Sequence, residues 1–363
     1  MKPRMKRILL FACLVIAAAA ASSQNTSPDQ ESVDLEALYQ QIDEAISQSP
    51  KFVADYEKQI AACRDSLRTS ADPERQLRTV ERLFRLYRPY KNDSAIHYAE
   101  LGISLAQSLH RPDYTGLFRS LLALQCSNTN MKIESLEQLH LVDRAALSQE
   151  GLVAYYIAWM HLSGEMASYT QRQSMRQSYF DLQNLYRDSV MMVASEGSEE
   201  SLHLKMDIFT AQRHFQDALR ISNRWLKMVE KDTHERAYAC FYRSMVFDHL
   251  RNHDMTCYWL GKSALYDIRC AVMNQASLLF LAEHLANDGD IDRAQRYLDF
   301  TRECNAKFTP NMLTYQVHPV INILEKSHEA TQHEAHQYLI IAAAIIILLI
   351  LALVFVLFIK RTK

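Results

Sequence analysis

The sequence predicts an all-α protein, a right-handed α-solenoid of helical hairpins that ends in one C-terminal transmembrane helix. Three observations carry this. Seven Gly and eight Pro in 363 residues fall far below their usual combined share of about 12%, so few positions interrupt a helix. Small or medium side chains recur every 38 residues through the C-terminal half. Tyr338 to Ile359 is a run of 22 residues without charge, glycine or proline. As a helix it is about 33 Å long, enough to cross a hydrocarbon core of about 30 Å. In lipid, only a helix satisfies every backbone group of such a segment.

Taken in order, Met1–Arg7 carries Lys2, Arg4, Lys6 and Arg7, and the apolar run Ile8–Ala21 closes on Ala19 and Ala21. This is the layout of a secretory signal peptide, expected over residues 1–21. A flexible segment is expected over 22–34 and the helical repeat domain over 35–327. Leu35–Ser49 and Lys51–Leu67 read as two helices parted at Pro50, together a capping hairpin. Pro73–Tyr87 follows, with Pro73 in the first turn after Asp72. Asp93 or Ser94 caps a helix that runs through Leu109, with Ala95, Ala99 and Leu105-Ala106 as its packing face. Tyr114–Cys126, which contains Ala123, pairs with Ile133–Leu147. Gly151–Leu162 opens a third pair, completed by a long polar-aromatic helix near Gln171–Val193.

The last three units are the most regular. Met206, Ser244 and Ala282 lie 38 residues apart, as do Ala218, Thr256 and Ala294, each twelve positions after its mate. Tetratricopeptide hairpins place small side chains at that spacing, because two helices come within 8–10 Å only where neither is bulky. Gly289 suits a left-handed turn between the helices of the last unit. Thr309-Pro310 starts a short helix and Pro319 restarts it. A juxtamembrane stalk is expected over 328–337, the membrane helix over 338–359 and a cytoplasmic tail over 360–363.

A removed signal and a terminal membrane helix predict that the repeat domain lies in the periplasm. The basic Lys360-Arg361-Thr362-Lys363 would then face the cytoplasm across the inner membrane. Between the two basic ends, 33 Lys and Arg stand against 42 Asp and Glu, a net charge of −9. That sign disfavours nucleic acid as a partner. Cys63, Cys126, Cys240, Cys257, Cys270 and Cys304 show no C-x-x-C spacing and read as small buried apolar groups. Of the tyrosines, Tyr155-Tyr156 and Tyr238/Tyr242 have helical spacing that suits core packing, with some rings left for the concave side.

Candidate chemistry is sparse. In His328–His336, His333 and His336 can share a helix face with Glu329, which makes them the weak metal candidates of the sequence. His328 and His333 are five apart, about 140° around a helix, so this is not the zinc-protease H-E-x-x-H. A solvated polar stretch is the preferred reading. With no Walker, G-x-S-x-G or G-x-G-x-x-G motif, no catalytic residue, cofactor or enzymatic role is expected.

The opening LEALYQQIDEAIS…YEKQI, the segment YRPYKNDSAIHYAE, the 38-residue repeats and the terminal apolar helix occur in one order. Together they resemble exported tetratricopeptide-like membrane proteins of Gram-negative bacteria grouped as domain of unknown function 6377. Asn92-Asp93-Ser94-Ala95, with Tyr87, Tyr90 and Tyr98 around it, is the most specific part. Longer members continue beyond the membrane helix into a regulatory output, whereas this sequence stops at Lys363. The expectation is a membrane-anchored, non-enzymatic scaffold for another protein or peptide. The alternative is a ligand-sensing subunit that acts through a cytoplasmic partner.

Overall fold

The computed structural model describes residues 33–308, 321–322 and 346. The predicted signal peptide, most of the 22–34 segment, the helix after Thr309, the stalk with His333 and His336, the tail, and the membrane span apart from Ile346 lie outside the described residues. Among the described residues there is no strand, and no helix is long and apolar enough to cross a membrane.

The described chain forms thirteen α-helices: α1 (Leu35–Thr69), α2 (Pro73–Tyr87), α3 (Asn92–Ser108), α4 (Pro112–Asn128), α5 (Lys132–His140), α6 (Gln149–Tyr169), α7 (Gln173–Val193), α8 (Glu199–Ala211), α9 (Phe215–Met228), α10 (His234–His249), α11 (His253–Arg269), α12 (Ala276–Asp288) and α13 (Ile291–Phe308). After α1 they pair as six successive hairpins, α2/α3 through α12/α13, each stacked on the next. Met206, Ala218, Ser244, Thr256, Ala282 and Ala294, with Ala95 and Ala123, are at most 3% exposed.

The turns show how a glycine-poor chain reverses. His110, Asn130, Arg213, Arg251, Ala271 and Gly289 all take positive φ, from 53° to 90°. In each case the following amide bonds the carbonyl five residues back, as Asn252 does to Phe247 and Asp290 to Leu285. This is the Schellman termination, and five of these six turns hold a side chain where glycine would be easiest. Each such residue costs roughly 1 kcal/mol of backbone strain.

Three segments depart from the sequence reading. Leu35–Thr69 is one 35-residue helix with Pro50 inside it, not two helices. Proline removes one bond, to the Ile46 carbonyl, at a cost of roughly 3 kcal/mol. That cost is offset because both flanks are seated in different cores. Leu38, Tyr39, Ile42 and Ala45 pack among α11, α12 and α13, while Ile60 and Cys63 pack among α2, α3 and α4. Instead of capping the array, α1 is a strut between its two ends. It lands on Gly261 of α11, where a Cβ would stand 2.8 Å from Leu38 Cδ2. Arg293 of α13 donates to Glu36 at 3.0 Å, and the Tyr297 hydroxyl donates to the Tyr39 carbonyl at 3.2 Å. The ends also touch directly. Met273 N–H donates to the Pro89 carbonyl at 2.8 Å, and Tyr90 packs with Cys304 and Phe308.

The second departure is at α3, which starts at Asn92 with no side-chain cap. Asn92 is buried and accepts from Gln125 Nε2 at 2.7 Å, so the amide is committed to α4. The third is at Ile133–Leu147, where α5 stops at His140 and a single 3-10 turn covers Arg144–Ala146. Asp143 accepts from the Ala145 amide at 3.1 Å and so caps that turn instead of continuing the helix.

Candidate functional site

Charged groups from separate hairpins come within electrostatic reach of one another. Arg88, in the turn after α2, is exposed to solvent, yet burial by surrounding protein lowers its pKa. Tyr238, Arg85 and Glu199 also act on it, and Arg88 in turn acts on His161 of α6 and His234 of α10. Arg88 thus lies within electrostatic reach of α6, α8 and α10 at once.

The two histidines respond in opposite directions. His161 Nδ1 lies 2.7 Å from Ser127 Oγ of α4. Burial, helped by Arg88 and Lys132, pushes it down to about 4. For His234, burial works against the charged ring. The 2.8 Å hydrogen bond to Asp267 and that residue's charge outweigh it and raise the pKa. Glu199 is raised, first by burial and then by Glu235 and Glu200, and it accepts from Trp225 Nε1 at 3.3 Å. These shifts arise mainly from burial and from neighbours each group already engages.

Two aromatic groups stand out, one on α8–α10 and one on α6–α7. Tyr238 is 40% exposed and meets Tyr242 edge-on at 4.9 Å, with His203 3.9 Å from Tyr242. On α6 and α7, Trp159 stacks on Tyr186 at 5.2 Å beside Tyr155 and Tyr156. Tyr155, Tyr156 and Tyr242 are half-buried, so Tyr238 is the ring of these four that is most open to a partner.

Among the described residues, one group of side chains has the composition to hold a metal ion; His333 and His336 lie outside those residues. The ligand atoms of His253, Cys257 and His284 lie within 4.8 Å of one another. Asp288 Oδ2 adds a fourth donor, 2.7 Å from His253 Nε2. The signal was present in the sequence as two i, i+4 pairs, His253/Cys257 and His284/Asp288. Nothing there showed that α11 and α12 would turn the pairs toward each other. All six cysteines of the described chain are unpaired, and all but Cys270 are buried.

Residues 46–319 match the family profile of the SusR N-terminal TPR domain. The match shows a tetratricopeptide-type family and does not by itself show domain of unknown function 6377. No curated protein matches the chain.

Proposed function

The chain belongs to the SusR N-terminal TPR domain family, and on that premise we propose that it binds another protein or peptide in the concavity lined by Arg88, Glu199, His234 and Tyr238. Tetratricopeptide-type domains are helical scaffolds that present extended concave surfaces to partners. The observation that carries the reading is Tyr238, 40% exposed, within electrostatic reach of Arg88, which also feels the partly desolvated Glu199. An aromatic anchor flanked by both signs of charge suits a peptide with its own charged groups. Membrane anchoring through residues 338–359, with the repeats in the periplasm, is part of the proposal. It rests on the apolar run and the basic ends of the sequence.

Photo-crosslinking in host membranes tests the reading. A benzophenone side chain at Tyr238 should give a discrete adduct, and one at exposed Met192 on α7 should not. Equal labelling from both positions, or none from Tyr238, would overturn it. For the topology, externally added protease should digest residues 35–337 in intact spheroplasts.

The strut favours a second reading, a ligand-sensing subunit. Because α1 is seated in both ends of the array, a ligand that changed the curl of the hairpins would strain α1. Replacing residues 338–359 with an unrelated Leu/Ala span should spare a scaffold and disable such a sensor.

A further inference from the structure

We propose that α11 and α12 together form a zinc site, with His253 Nε2, Cys257 Sγ, a ring nitrogen of His284 and the Asp288 carboxylate as its four ligands. Residues four apart share a helix face, and here two such faces meet. His253 and Cys257 begin α11, and His284 and Asp288 end α12. The His253 Nε2 to Cys257 Sγ distance is 3.6 Å. This is already the edge of a tetrahedron with metal bonds of about 2.1 and 2.3 Å. The three donors of His253, Cys257 and His284 lie within 4.8 Å of one another, so bringing these three to tetrahedral spacing requires side-chain shifts of about 1 Å, while Asp288 is tethered to the group through His253. The ion would enter between His253 Nε2 and Asp288 Oδ2, where a hydrogen bond of 2.7 Å now joins two charged or chargeable groups.

The donor set selects the metal. Two imidazoles, one thiol and one carboxylate suit a borderline cation such as Zn²⁺, whereas calcium and magnesium take oxygen alone. Binding replaces the thiol proton of Cys257 by the metal and releases that proton to solvent. Access and foundation are both present. The side chains of His253 and Asp288 are 45% and 46% exposed, while Cys257 is fully buried at the base of the site. Tyr39 of the strut belongs to the same core cluster as Cys257. An ion here would therefore fasten the seat in which the first half of α1 rests. The site is independent of the peptide-binding reading.

The test is calorimetric titration of the purified full chain with Zn²⁺, paired with absorption of the Co²⁺-substituted protein. One equivalent of zinc should bind, and cobalt should show a near-ultraviolet thiolate charge-transfer band. Cys257→Ser should abolish the band and weaken zinc at least about tenfold, and Asp288→Asn should weaken it by about 10–100-fold. A His333→Gln/His336→Gln double variant should bind as the parent does. Helical circular dichroism checks that each variant is folded. Failure of the unaltered chain to bind zinc would overturn the site. So would binding that survives Cys257→Ser, or binding that is lost in the His333/His336 variant.

Discussion

The strut α1 and the helix α7 are both long and similar in overall polarity, yet they are held in different ways. Six residues of α1 are buried, divided between two separate cores. In α7 only Val190 is buried, and Met175, Leu185 and Met192 are 45%, 59% and 81% exposed. What separates them is destination: α1 spans the curl of the array, whereas α7 lies along α6 with little beyond it. The difference teaches that composition does not decide how firmly a polar helix is held. The number of independent cores it reaches does.

The sharpest way to break this comparison is one truncation in each helix. Ile42→Ala, at a fully buried position in the α11–α13 core, should cost about 2–5 kcal/mol in urea unfolding. Leu185→Ala on α7 should stay within about 0.5 kcal/mol. Similar costs would mean that α1 is not a strut. A subtler attack is on the landing site. Gly261→Val should crowd Leu38 and Ile42 and cost about 1–3 kcal/mol, and α1 amides should exchange faster with deuterium while those of α6 and α7 do not.

Two histidines extend the comparison to pH. His161 lies on α6, the helix that α7 covers, and His234 contacts α11, where α1 lands. The folded pKa of His161 lies below the ordinary value of 6.5, so the unfolded chain binds the proton more readily. Its contribution to stability is present above that value and is lost as pH falls toward about 4. His161→Gln should flatten that acidic limb of the unfolding midpoint. His234 is raised, so its contribution is full below the ordinary value and is lost as pH rises through the folded one. His234→Gln should therefore flatten the opposite limb. The smallest effect belongs to the turns. Arg251 is exposed with φ 56°, and Arg251→Gly should raise stability by about 0.5–1 kcal/mol.

Much of the architecture was legible because helical hairpins are written locally. The spacing of Met206, Ser244 and Ala282, and Gly289 at the left-handed turn, are properties of adjacent residues. The course of α1 was not legible. The proline rule at Pro50 is local, whereas the packing that overrides it lies more than 200 residues away in sequence, at Gly261 and Arg293. The start of α3 shows the same limit: Asp93 or Ser94 reads as its cap, yet the helix already begins at Asn92, whose amide is held by Gln125. Among site residues, the tyrosine spacing pointed toward packing faces but could not single out Tyr238 as the exposed ring. The mutual influence of Arg88, His161 and Glu199 arises only once separate hairpins are brought together.

The bond from Met273 to Pro89 has a consequence for how such a protein can change. An open stack of hairpins tolerates one unit more or less, since each touches only its neighbours. Here the loop after α11 must meet the turn after α2, so the circumference is fixed. Duplicating or deleting one hairpin would leave that latch either gaping or overlapped. The copy number of this array is therefore set by a closure condition, much as the number of staves is set in a barrel.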